Sequence, residues 1–149
     1  MWPPVLRMKQ EVTAAADFLV FLLITWRRPT LSPKLQHRFK CELVRQMLCR
    51  YRNHWFPQHC CRGTGYRCIR INGNSAPLIQ KAGLETGLSE QFLLENLPDE
   101  LTVWVDPGQV VYRLGPRGLL CWHYGSQADS CHPMDAMDFR TPVSISKYL

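Results

Sequence analysis

The stretch Leu101-Thr102-Val103-Trp104-Val105-Asp106-Pro107 alternates strictly in character, and alternation at period two is the signature of a strand. Leu101, Val103 and Val105 share one face, which suits a core. Thr102, Trp104 and Asp106 share the other, and Pro107 and Gly108 end the strand at once. A large aromatic on an outer face is costly unless something covers it, and Trp is among the commonest anchors of protein interfaces. Two readings stand at this level. The strand is a docking edge, or a helix covers Trp104 and Asp106 merely caps the turn.

The rest of the chain sets the frame for that strand. Its 149 residues suffice for one hydrophobic core, and 46% hydrophobic against 20% charged residues is a globular composition. Lys and Arg outnumber acids 18 to 12, giving a formal charge of +6 that permits attraction to RNA, DNA or an acidic protein but establishes none of them. Seven cysteines are an odd number, and Cys41, Cys49, Cys68 and Cys121 sit in otherwise apolar, periodic segments; a reduced, intracellular chain is expected. The apolar run from Val12 to Trp26 is interrupted by Asp17 and falls short of the roughly 20 residues of a membrane span. Lys9 and Glu11 before it, Arg27 and Arg28 after it, and the lack of a small-residue cleavage site argue against a signal peptide. The expectation is a soluble protein with no membrane partner.

Val12, Ala15, Ala16, Leu19, Leu22, Leu23 and Trp26 recur at helical spacing, and Pro29 ends that helix. Ser32 then offers a cap, Pro33 suits a first helical position, and Leu35, Phe39, Leu43, Met47 and Tyr51 follow at four-residue steps. Arg38, Lys40, Arg45 and Arg50 occupy other positions of this second helix. A short Pro-containing link should fold the two into a hairpin. His54 to Gly65 reads as a loop and Tyr66 to Asn72 as a strand. Short helices are expected from Pro77 to about Lys81 and from Ser89 to Asn96, with Ser89 as cap. After the opening strand, Val110 to Leu114 and Leu119 to Tyr124 should pair across Gly115-Pro116-Arg117-Gly118. The fold class is therefore α+β: a helical hairpin and short helices packed on a small, mostly antiparallel sheet. Residues 1–8 are expected to be an N-terminal extension, 9–125 the domain, and 126–149 a weakly structured tail.

Candidate chemistry is thin. His54, His59, Cys60, Cys61 and Cys68 form the densest group of possible ligands, but neighbouring Cys60 and Cys61 point different ways and no second Cys-x-x-Cys pair follows. Neither an orienting third group nor an oxyanion loop accompanies a Cys–His pair there. No metal, cofactor or catalytic residue is expected. Gly63-Thr64-Gly65 precedes a strand instead of opening a helix, so it reads as a flexible turn, not a phosphate loop. Leu19-Val20-Phe21-Leu22-Leu23 matches a groove-docking L-x-x-L-L pattern, yet the same leucines serve an amphipathic helix's core face. Arg67 and Arg70 flank Ile69 on the Tyr66 strand. A solvated, arginine-lined strand is the plainer reading; nucleic-acid binding through it and the basic helix is the alternative.

Two long motifs carry a family resemblance. His54-Trp55-Phe56-Pro57, followed by Gly63-Thr64-Gly65-Tyr66-Arg67-Cys68-Ile69-Arg70-Ile71-Asn72, is similar to box A of the BTG/Tob anti-proliferative family. Leu97-Pro98-Asp99-Glu100 and the opening strand, continuing through Val110, Tyr112 and Gly115, resemble box B. The helix from Glu11 to Leu23 also resembles that family's first helix. The resemblance implies a non-enzymatic adaptor that binds the Caf-type deadenylase subunit of the cytoplasmic deadenylase complex. It further implies effects on messenger RNA turnover, transcription co-regulation and proliferation, with transcription factors as further partners and residence in cytoplasm and nucleus. By motif, the deadenylase-contacting residues fall on Tyr66, Trp104 and Asp106, with Pro107, Gly108 and Gln109 as additional interface. The chain departs from the family pattern at Gln58, His59 and Cys60, where Glu-Lys-Pro is usual, and at Gly108-Gln109, where an aromatic and Glu are usual. Pro116 stands where an acid is usual, and the tail carries no motif that recruits poly(A)-binding protein.

Overall fold

The computed structural model describes residues 8–125, so the expected N-terminal extension and tail lie almost wholly outside the described residues. Along the chain run α1 (Lys9–Thr25), α2 (Pro33–Tyr51), α3 (Thr64–Arg67), β1 (Ile69–Asn72), α4 (Pro77–Thr86), α5 (Glu90–Asn96), β2 (Glu100–Asp106), β3 (Gln109–Leu114) and β4 (Cys121–Tyr124). The strands form one four-stranded antiparallel sheet in the order β1-β2-β3-β4. The expected α+β class, with helices gathered on a small antiparallel sheet, is what the chain adopts.

Periodicity explains most of it. Val12, Ala15, Ala16, Leu19, Leu22 and Leu23 bury one stripe of α1, and Phe39, Leu43, Met47 and Tyr51 bury one stripe of α2. The leucines of the L-x-x-L-L pattern thus belong to the core. Ser32 accepts a hydrogen bond from the Leu35 N–H at 3.1 Å, and Ser89 does the same for Phe92 at 3.1 Å, so both expected caps form. Lys40 and Asp17 pair at 2.8 Å across the helical hairpin. The inner face of the sheet, with Ile69, Ile71, Leu101, Val103, Val105 and Val110, joins these helices in one core. Phe18 of α1 lies against Tyr112 of β3 with ring centroids 4.2 Å apart.

Several expectations need correction. Trp26 does not join the apolar stripe; α1 ends at Thr25 and Trp26 is 47% exposed. The helix at Pro77 runs on to Thr86, because Gly83 is a close-packing site and not a breaker: a Cβ there would meet the Leu88 carbonyl oxygen and Leu93 Cδ1 at 2.6 Å. β4 begins at Cys121, not Leu119, which is 60% exposed. Cys41 and Cys49 are free and exposed, so they do not join the apolar faces of their helix. The strand expected from Tyr66 starts only at Ile69; Tyr66 and Arg67 belong to the one-turn helix α3. Its cause is Gly63, whose φ of +78° lets the chain reverse and the Arg67 N–H reach the Gly63 carbonyl at 3.1 Å. Among the described residues no helix is long and apolar enough to cross a membrane.

The β2–β3 connection is a two-residue link, with Asp106 opposite Gln109 and Gly108 at φ +85° between them. Pro followed by Gly is the residue order of a type II turn. Glu11 in the first turn of α1 fastens this link, accepting the Gly108 N–H at 2.9 Å. Burial pushes the Glu11 carboxyl above its ordinary 4.5, while the Gly108 N–H pulls it down. A raised carboxyl binds its proton more tightly in the folded than in the unfolded chain. Its contribution to stability is full below the ordinary carboxylate range and is lost as pH rises through the folded value. Glu11→Gln keeps an oxygen for Gly108 and removes the titration. Its melting temperature at pH 7 is expected to equal or exceed wild type, with the difference shrinking towards about pH 4; a lower value at pH 7 contradicts the assignment.

Candidate functional site

The face of the sheet away from the helices is built by register. Thr102 lies opposite Arg113, Trp104 opposite Val111 and Asp106 opposite Gln109, and directly opposed residues point the same way. Alternation therefore assigns Thr102, Trp104 and Asp106 to one face correctly. It misjudges their exposure: Trp104 is 8% exposed and Asp106 is fully buried. Trp104 and Val111 form a second, smaller apolar cluster with Cys68, Leu120 and Trp122, and the Arg113 guanidinium lies 5.8 Å from the Trp104 ring centroid. Among the described residues the apolar neighbours of Trp104 come from the adjoining strand, from Cys68 before β1 and from the loop and strand at β4, not from a covering helix as one reading of the strand required. Trp122 Nε1 donates to Gln109 Oε1 at 3.1 Å, which ties β4 to the residue after the turn.

Asp106 is gripped from box A. Arg67 Nη2 donates to Asp106 Oδ1 at 2.8 Å and Thr64 Oγ1 donates to Oδ2 at 3.0 Å, both within the buried interior. Thr64 and Arg67 stand three apart on α3, so one helical turn brings both to the same side. Every N–H of the Arg67 guanidinium is used. Nε reaches the Val105 carbonyl at 2.8 Å, Nη1 the His54 carbonyl and the Arg62 carbonyl at 2.8 Å, and Nη2 the Cys60 carbonyl at 3.1 Å as well as Asp106. The Tyr51 hydroxyl donates to the Arg67 carbonyl at 2.9 Å, and Trp55 places its ring 5.3 Å from the guanidinium. Box A is thus a loop wrapped around one arginine, and box B supplies its counter-charge.

Of the three residues singled out by motif, Tyr66 alone is well exposed, at 41%. It sits on the outward side of α3. His54 stacks on its ring with centroids 3.8 Å apart at 23°, and the Arg50 guanidinium lies 4.8 Å from the ring centroid. Two residues further on, Cys68 packs against Trp104, so the chain passes from the Tyr66 turn directly into the Trp104 cluster. Of the additional interface residues, Gly108 is exposed while Pro107 and Gln109 are buried. The expected outward-facing carboxylate of Asp106 is the main correction.

Other candidates fare as follows. Arg67, read as part of a solvated strand, is 0% exposed, while Arg70 is exposed; the arginine-lined strand loses half its charge. Sequence reasoning missed Arg67 although a signal was present, since strand alternation groups it with Ile69 and Ile71, the core side. The Gly63-Thr64-Gly65 turn does open a short helix, contrary to expectation, but Thr64 and Arg67 turn inward to Asp106. Burial pushes the Cys68 thiol up to about 11, far from a reactive thiolate. Among the described residues no three His, Cys, Asp or Glu side chains are grouped to hold a metal ion.

Removing one partner of a buried ion pair leaves an uncompensated charge and costs about 3–5 kcal/mol. Arg67→Met is expected to lose that much in denaturant unfolding. Gly63→Ala is expected to be destabilising too, because a Cβ at φ +78° would stand 2.8 Å from Arg67 Nη1. An Arg67→Met protein as stable as wild type contradicts the assignment of the network.

Comparison with known proteins places this geometry in a family. The profile of the BTG family matches residues 8–124. Chicken (Gallus gallus) BTG1 is 42% identical over 117 residues, covering 78% of this chain and 68% of that protein. Human BTG2 is 42% identical over 117 residues, covering 78% of this chain and 73% of BTG2. Human Tob2 is 30% identical over 124 residues, 83% of this chain but 35% of Tob2. The solved BTG/Tob domain of C. elegans FOG-3, in a doubly substituted form, superposes with a TM-score of 0.69 at 21% identity, covering 80% of this chain and 91% of that one; it shares the fold. With both boxes, their register and the matched profile in agreement, the chain belongs to the BTG family.

Proposed function

We propose that this domain is a non-enzymatic adaptor that docks the Caf-type catalytic subunit of the cytoplasmic deadenylase complex through the surface around Tyr66 and Trp104. The observation that supports it best is a half-exposed tyrosine, stacked on His54 and seated on a tightly bonded turn whose next residues lead into a tryptophan cluster. An interface anchor needs apolar area, a polar handle and little freedom to lose on binding, and Tyr66 combines all three. Tyr66 would supply area and a hydroxyl, the rim of Trp104 further apolar area, and Gly108 an exposed backbone alongside. Asp106 belongs to the same site, with its carboxylate committed inside the chain. In this reading the protein modulates messenger RNA deadenylation and turnover and restrains proliferation. It also engages transcription factors and works in both cytoplasm and nucleus. Direct nucleic-acid binding is not favoured, since Arg67 is unavailable to a phosphate.

Truncating a central aromatic anchor costs about 2 kcal/mol or more, roughly thirtyfold in affinity. Tyr66→Ala is expected to weaken binding to purified deadenylase catalytic subunit by that factor while leaving the melting temperature near wild type. Trp104→Ala is expected to lose affinity as well, with a stability loss because its ring is packed. Undiminished affinity in folded Tyr66→Ala overturns the proposal.

A further inference from the structure

Asp106 and Arg67 are fully buried, yet the residue next to Arg67 is the most exposed aromatic of the site. The geometry of α3 reconciles the two. Thr64 and Arg67 face inward from a single helical turn and hold one carboxylate oxygen each, leaving Gly65 and Tyr66 outward. The carboxylate thereby fixes the rotation of the turn about its own axis, and that rotation decides where the Tyr66 ring emerges. We propose that Thr64, Arg67 and Asp106 are positioning residues of the docking site: the acid acts from beneath the surface by clamping the turn that presents Tyr66, and does not touch the partner. This inference rests on the docking reading above.

Three observations carry it. Asp106 has no exposed surface, so a partner's donor can reach it only after the clamp has opened. Both its oxygens already accept hydrogen bonds within the chain, one of them from a guanidinium whose remaining N–H groups are all spent on backbone carbonyls. Those carbonyls belong to His54, Cys60, Arg62 and Val105. The same arginine therefore couples the end of β2 to the loop that delivers the His54 ring against Tyr66. The clamp and the ring stack are one assembly. A tyrosine held this way keeps a single orientation before the partner arrives, which is the preorganisation that favours binding.

The test uses the buried residues of the clamp. Thr64→Val, Arg67→Lys and Asp106→Asn are compared with wild type in protein carrying ring-labelled tyrosine. Two quantities are read: affinity for purified deadenylase catalytic subunit, and the NMR shifts of the Tyr66 ring without partner, which report the His54 stack. Tyr112, in the sheet core, serves as the internal check of folding. The expected result is a moved Tyr66 signal, an unmoved Tyr112 signal, and an affinity loss of about tenfold in Thr64→Val, comparable to one hydrogen bond to a charged group. Arg67→Lys should do the same or more; if it fails to fold, Thr64→Val decides alone. An Asp106→Asn protein that loses affinity with the Tyr66 signal unmoved overturns the inference, because the acid is then a direct contact. A Thr64→Val protein whose ring shift changes without loss of affinity also overturns it. Failure of the underlying reading looks different: Tyr66→Ala itself then binds as well as wild type.

Discussion

The buried pair of Arg67 and Asp106 is the constraint on which the rest of this structure turns. An arginine placed where water cannot reach it must find a partner for its charge and for every N–H, and here it finds them on two stretches of chain, the loop from His54 to Arg62 and the end of β2. The loop from His54 to Arg62 has no regular structure of its own. It is shaped because its carbonyls are claimed by one guanidinium. Gly63 is required because a side chain there would intrude on the same group. The end of β2 is held because its last residue supplies the countercharge. A buried ion pair is weak evidence for net stability, since well-packed apolar groups can often replace it without loss. Its value in this fold lies in geometry: only one rotation of α3 satisfies the arginine, the threonine and the tyrosine hydroxyl of α2 together.

This explains why the two boxes read as separate motifs but act as one. Box A brings the cation, the wrapping loop and the exposed tyrosine; box B brings the anion and the tryptophan strand. Neither half is complete alone. The departures from the family pattern fall around this assembly and leave its bonds intact. At position 60 it is the backbone carbonyl that Arg67 uses, so Cys60 can replace the usual proline without loss of the bond. Gly108 takes the positive φ of the tight link, and Gln109 fastens β4 through Trp122. The changes alter the rim of the surface and spare its frame.

What was legible in the sequence was whatever repeats. The apolar stripes of α1 and α2, the caps at Ser32 and Ser89 and the two faces of β2 follow from periods of 3.6 and 2 and from local capping chemistry. Exposure was not legible, because period two says which residues share a face and nothing about what lies over it. Trp104 is packed by Leu120 and Trp122, residues well downstream of it, and Asp106 by a residue 39 positions upstream. The missed helical turn at Thr64 has the same origin. A four-residue helix has too few residues to show a period, and its direction is set by a distant carboxylate. Arg67 was the one recoverable error, since a charge in phase with Ile69 and Ile71 already marked a buried position.

The central claim is that the surface carrying Tyr66 meets a deadenylase catalytic subunit. Hydrogen exchange followed by mass spectrometry on this protein, alone and saturated with that subunit, tests it without any substitution. The account predicts slowed exchange in the peptides spanning Gly63 to Cys68 and Trp104 to Gln109, with the exposed side of α2 and the link between α1 and α2 unchanged. Slowing confined to α2, with the Tyr66 turn exchanging as in the free protein, would contradict it.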